Sequence, residues 1–240
     1  MKKLNYTLSI LLLLIVFSCD NETPGSNNYL LENGYNGNVK SIKSIVYKGL
    51  IKKKDKWQIN EDSITNIKLL NFDKTGNLID SEEYIANNGI YSLLSTKYKY
   101  ISGKIAYYTT YNNAKLCYNE GFYQYEDESN YKEHILSNDF INEKTFSYKL
   151  NSNNRVISGS EVIRHFEKDS IFFNETFTNI FNDKKELIET IFYDEIKKSE
   201  RIVLIQDVKK DNHGNSIQFS KVDKASNRLI EFIVNEFIYY

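Results

Sequence analysis

The sequence predicts an all-β protein, an antiparallel meander of repeated hairpins forming a curved or rolled sheet. Three observations carry this. The chain holds 19 Tyr and 14 Phe among 240 residues, with abundant Ile, and only four alanines (Ala86, Ala106, Ala114, Ala225) to favour helices. Short runs alternate apolar and polar residues with period 2. Turn signals of one kind recur between those runs.

The alternation is clearest at two places. In Thr96 to Tyr100, Tyr98 and Tyr100 oppose Lys97 and Lys99; in Lys144 to Leu150, Phe146, Tyr148 and Leu150 oppose Thr145, Ser147 and Lys149. Such a pattern marks a strand with one wet face. The last run, Arg228 to Tyr240, is apolar on both faces, as a strand covered on both sides would be.

The turn signal is Asp, then Gly or Asn, then an apolar strand. It occurs as Asp73-Lys-Thr-Gly76-Asn77, as Asp211-Asn-His-Gly214-Asn215 and as Asp223-Lys-Ala-Ser-Asn227, with a weaker echo at Asp183-Lys-Lys-Glu186. Asp hydrogen-bonds its own following backbone, and Gly or Asn tolerates the left-handed conformation that closes a hairpin. Strands every 12 to 16 residues or so imply roughly a dozen of them. Residues 186 to 196 also place Leu187, Ile188, Ile191, Phe192 and Ile196 at helical spacing, with Asp183 and Glu186 as a potential capping box. Strand is preferred there, because Thr190-Ile191-Phe192-Tyr193 is poor helix material.

Three zones divide the chain. Lys2 and Lys3 precede a ten-residue apolar run, Leu8 to Phe17. A membrane-crossing helix needs about 20 such residues, so residues 1–18 read as a secretory signal. The run ends in Val16-Phe17-Ser18-Cys19, which resembles the lipobox of bacterial lipoproteins, with Phe17 departing from the usual small residue. That resemblance implies cleavage before Cys19 and lipid on its thiol and amine. Several acyl chains on one residue suffice for stable anchoring, where one chain does not. Residues 19–37, with the only proline, Pro24, and three of the ten glycines, read as a flexible tether, and residues 38–240 as a single β-hairpin domain.

Asn71-Phe72-Asp73-Lys74-Thr75-Gly76-Asn77-Leu78-Ile79 resembles the core of a YD (rearrangement hot-spot) repeat, and Asp211 to Ile217 and Asp223 to Ile230 are degenerate relatives of it. Gly37-Asn38-Val39-Lys40-Ser41-Ile42 and the C-terminal hairpin ending in Tyr239-Tyr240 resemble Gram-negative envelope lipoproteins built from such hairpins. The resemblance implies an architecture rather than an activity. The chain is too short for the closed shell of large YD-repeat proteins.

The search for chemistry singles out no catalytic, metal or cofactor-binding residue. His134, His165 and His213 are scattered, without a His-x-x-x-His pair. Cys117 is the only cysteine besides Cys19 and reads as a small apolar strand residue. Glu82-Glu83 and Glu126-Asp127-Glu128 read as solubilising charges at hairpin ends and edges. Lys52-Lys53-Lys54 with Asp55 reads as a solvated turn. Removing Lys2 and Lys3 leaves 29 basic against 32 acidic side chains, a formal charge of −3, so no nucleic-acid partner is implied.

The expected function is that of a membrane-anchored envelope lipoprotein, held to a membrane (the outer one favoured) by lipid on Cys19. It would serve as a non-catalytic binding or scaffolding module for a glycan or an envelope protein. The alternatives are a lipid or lipoprotein carrier with an apolar cavity, a glycosidase-like enzyme, which requires two carboxylates converging in a cleft, and an accessory of a YD-repeat toxin system.

Overall fold

The computed structural model describes residues 29–54, 56–87, 90–137, 141–165 and 167–240. Residues 1–18, read above as a secretory signal, Cys19, residues 20–28 of the expected tether and Asp55 lie outside them. A one-turn helix, α1 (Tyr29–Glu32), comes first. It is followed by β1 (Val39–Tyr47), a small hairpin of β2 (Lys52–Lys53) and β3 (Lys56–Trp57), β4 (Ile64–Phe72), β5 (Leu78–Asn87), β6 (Ile90–Ile101) and β7 (Lys104–Tyr111). Then come β8 (Cys117–Tyr125), β9 (Asn130–Ser137), β10 (Asn142–Leu150), β11 (Val156–His165) and β12 (Ser170–Phe181). The chain closes with β13 (Leu187–Asp194), β14 (Ser199–Lys210), β15 (Ser216–Asp223) and β16 (Leu229–Tyr239).

The meander expectation holds, and the sheet goes further than curving. β1 pairs with both β4 and β16, so fourteen antiparallel strands join into a closed barrel, with β2 and β3 apart as their own hairpin. This closure does not depend on a long chain. A barrel needs only one turn of hairpins, and closing removes both free sheet edges. Within residues 186–196 the chain forms β13 (Leu187–Asp194) rather than a helix.

The hairpins are made by side chains that mimic backbone. Asp73 Oδ1 accepts from the backbone N–H of Thr75 and Asn77 at 2.8 and 2.9 Å, and Asp211 Oδ1 from His213 and Asn215, both at 2.9 Å. Asn112, Asn151 and Asn182 make the same pair of bonds to the residues two and four further on. The fourth residue of each such turn is left-handed: Gly76, Lys115, Asn154, Lys185 and Gly214 have φ of 87°, 58°, 57°, 61° and 85°. Sequence reading finds the two Asp members, while its third copy differs: Asp223 Oδ1 accepts from Ser226 N–H, three residues on, at 2.7 Å. It places the echo at Asp183, one residue late, and passes over the Asn members because Asn is common throughout this chain.

Directly paired residues share a face, so the registers sort every strand into an inner and an outer wall. In β8, Tyr118, Glu120, Phe122 and Gln124 are exposed on the outside, while Asn119, Gly121, Tyr123 and Tyr125 turn inward. Tyr98, Tyr100, Phe146, Tyr148 and Leu150 lie on the inner side, as their alternation predicts.

The segment before β1 is not a free tether along its whole length. From Tyr29 onward it enters the barrel. Leu30 is buried with Val39, Ile42, Leu70, Phe72 and Leu78, and the ring centroids of Tyr29 and Phe72 are 5.8 Å apart. Gly34, at φ 70°, ends α1 with Tyr35 N–H donating to the Leu30 carbonyl at 2.8 Å. Asn215, 1% exposed, then pins the segment: its Oδ1 accepts from Asn36 N–H at 2.7 Å and its Nδ2 donates to Asn36 O at 2.9 Å. Burial of Tyr29, Leu30 and Tyr35 outweighs the turn-rich composition that suggests a linker. This plug fills the end of the barrel that carries the 73–77, 151–155, 182–186 and 211–215 turns. At the opposite end the inward positions Ile85, Ser92 and Lys144 are exposed, so the lumen there meets water.

Candidate functional site

Beneath the plug the inner wall is a band of tyrosines. Ring centroids run Tyr98–Tyr108 at 5.5 Å, Tyr108–Tyr123 at 6.1 Å, Tyr123–Tyr131 at 6.0 Å and Tyr131–Tyr148 at 4.9 Å. The band exists because β6 to β10 each place a Tyr at an inward position of neighbouring registers. Gly121 permits it. A Cβ on Gly121 would come within 2.2 Å of the Tyr108 ring, which lies across the glycine of the next strand.

The tyrosines do not fill the lumen. A cavity of about 270 Å³ remains, lined by Tyr29, Tyr98, Tyr123, Tyr125, Tyr131 and Tyr148. Its charged groups are Glu32 from the plug, Glu133 from β9 and Lys68 from β4. Ligand pockets commonly measure roughly 300–1,000 Å³, so this one suits a small molecule.

Both carboxyl groups are held by phenols. Tyr131 Oη donates to Glu32 Oε2 at 3.0 Å; Tyr108 Oη donates to Glu133 Oε1 at 2.7 Å and Tyr148 Oη to Glu133 Oε2 at 3.5 Å. Burial raises the Glu32 carboxyl to about 7, against the Tyr131 hydrogen bond and with help from the charge of Glu133. Burial likewise raises Glu133, opposed by its tyrosine donors and by Lys68. Tyr29 is pushed up to about 12 by burial and then by the nearby glutamates. The cavity therefore disfavours ionised carboxylates unless a cation accompanies them.

Two carboxyl groups in one cavity meet the geometric minimum of a glycosidase only in part. Acid and nucleophile roles require environments that drive the two pKa values apart, and here burial drives both upward. An acyl chain fits poorly too, because it would cut Glu32, Glu133 and Lys68 off from water.

The residues singled out from the sequence lie elsewhere. Glu82 and Glu83 sit on opposite walls, and Glu83 accepts from Asn66 on the inner side. Glu126 pairs with Lys132, and Asp127 shapes the β8–β9 turn through Asn130. His134 stacks on Phe122 on the outer wall, at 4.7 Å and 12°; His165 ends β11; His213 stacks on Tyr239 at 4.1 Å in the turn that pins the plug. Cys117 opens β8, half-buried, its thiol raised by burial and then by Glu120. None of these meets another at the cavity. Glu133 was legible in one respect: in Tyr131-Lys132-Glu133 it shares strand parity with a tyrosine, so an acid falls on the aromatic face. Glu32 carried no such signal.

No protein-family profile and no curated protein sequence matches the chain. Among solved structures, a porin-like protein from Bacteroides vulgatus superposes with a TM-score of 0.50 at 11% identity, covering 83% of this chain and 98% of that one. A porin-like protein from Bacteroides uniformis gives 0.48 at 9% identity, over 85% and 99%. The first likeness shows a shared barrel fold.

Proposed function

We propose that this chain is an envelope lipoprotein whose barrel stands in water beside a membrane, tethered through lipid on Cys19, and binds a small ligand in its lumen. One observation carries the reading, the distribution of charge between the walls. Lys43, Glu82, Lys97, Glu120, Lys132 and Glu236 all face outward near the middle of their strands. A membrane-spanning barrel presents an apolar band about 25 Å tall there, and a charge at its midplane costs about 2–4 kcal/mol for Lys or Arg. The tyrosine band of β6 to β10 and the cluster of Leu30, Ile42, Leu70, Phe72 and Leu78 face inward, which supports a barrel that takes its ligand inside.

The outer membrane remains the favoured site, with a glycan or an envelope protein as the class of partner, and no catalytic step is assigned. The test is fractionation of the full-length chain expressed in a Gram-negative host. Cys19→Ala, or inhibition of the lipoprotein signal peptidase, is expected to release folded protein into the soluble fraction. Retention in the membrane as a detergent-extracted barrel would defeat the reading.

A second reading has its own support. Ile67, Leu69, Tyr107, Phe122, Ile191 and Leu204 also face outward, and the superposed barrel is a porin-like protein. Under that reading the barrel itself would span the outer membrane, and the same fractionation separates the two.

A further inference from the structure

The cavity combines three features that converge on one ligand chemistry. It is lined by six tyrosines, whose π faces attract cations. It holds two carboxyl groups against one ammonium, Lys68, so one negative charge lacks a counter-ion whenever both acids ionise. And among the described residues the side-chain hydrogen bonds to those carboxyl groups come from phenols, which are neutral donors.

We infer that the lumen of this barrel binds a small organic monocation, with its ammonium group between Glu32 and Glu133 and its carbon skeleton against the tyrosines.

This rests on the reading of the lumen as a ligand site and narrows it. A cation supplies the charge that the cavity lacks and lets both carboxylates ionise without the cost of burying an unpaired charge. A quaternary ammonium suits the site especially, because it needs no hydrogen-bond acceptor and the aromatic wall stabilises it directly. Ser92 and Lys144, inward positions at the end opposite the plug, are exposed, and entry from that end, without displacing residues 29–37, is part of the inference. The titratable groups facing the site are Glu32, Glu133, Lys68 and the tyrosines. Burial raises both carboxyl groups, Glu32 to about 7, and a bound cation favours their ionised forms, so its binding releases protons.

The experiment is calorimetric titration of the full-length lipidated protein in a maltoside detergent. The probes are choline, its neutral carbon isostere 3,3-dimethylbutan-1-ol, and glucose. Choline is expected to bind at least tenfold more tightly than the isostere, and its heat to differ between buffers of different ionisation enthalpy because protons are released. Glu133→Gln and Glu32→Gln should each weaken choline at least tenfold while leaving the circular dichroism spectrum unchanged. Equal binding of the isostere, or affinity unaltered in both variants, would overturn the inference. Binding of glucose alone, sensitive to Glu133→Gln, would overturn it and leave the lumen as a ligand site. No heat with any of the three probes counts against both readings.

Discussion

Two segments outside the barrel strands cover opposite sides of one strand pair, and they differ in how they do it. On the inside, residues 29–37 lay Leu30 and Tyr35 against Ile42 and Phe237. On the outside, the connection between β1 and β4 folds back so that Leu50 and Trp57 cover Tyr47 and Phe232, the latter 2% exposed. Trp57 Nε1 then donates to Asp207 Oδ2 at 2.9 Å, which also accepts from Ser220 Oγ at 2.9 Å. β1 and β16 are the seam where the first and last strands meet. The inner cover is fixed by burial and a fully enclosed amide, the outer one by burial and a half-exposed carboxylate. The seam is therefore held by two clamps of unequal depth, and the inner clamp also supplies a wall of the ligand cavity.

Substitutions at the clamps rank this difference. Phe232→Ala removes the centre of the outer cluster and should cost about 3–5 kcal/mol, read from denaturant midpoints. A loss below 1 kcal/mol would mean that the outer cover is dispensable. Asn215→Ala deletes both bonds to Asn36 and should cost about 1–2 kcal/mol. It should also raise the hydrogen-exchange rate of residues 29–37 above that of β1, and unchanged exchange would place the pin elsewhere.

Trp57→Phe keeps the ring and deletes the bond to Asp207. A loss of about 1–2 kcal/mol is expected, confined to the outer clamp, with lumen titrations unaffected. A change in ligand affinity would show that the clamps communicate across the seam.

The smallest effect is on pH. Glu32 has a folded value of about 7, above that of the unfolded chain, so the folded state binds the extra proton. Its contribution is complete below the unfolded carboxylate range and is lost as pH rises through about 7, and the Glu133 shift has the same sign. Melting temperature should fall by about 5 °C between pH 4.5 and 7.5, and Glu32→Gln should flatten that slope. A melting temperature that rises over this interval would contradict the buried, neutral carboxyl group.

Strand identity was legible at single residues. The alternation in Thr96 to Tyr100 and Lys144 to Leu150 places the right rings inward, and the two-sided apolar run of β16 is matched by a cover on each face. The turn chemistry was legible where Asp marks it and not where Asn does, since both accept the same two N–H groups but Asn is too frequent here to stand out. The cavity was legible only through the parity of Glu133.

By itself the sequence determined an antiparallel chain of hairpins, because period-2 patterning and Asx turns are local properties that neighbouring residues decide. Closure into a barrel came from the pairing of β1 with β16, residues nearly two hundred positions apart, which no local pattern encodes. Nor could a local pattern set Glu32 beside Glu133: one comes from a stretch that reads as linker, the other from a strand, and only the curvature of fourteen strands gives them a common interior. Burial in that interior, rather than residue type, turns two ordinary glutamates into a candidate site.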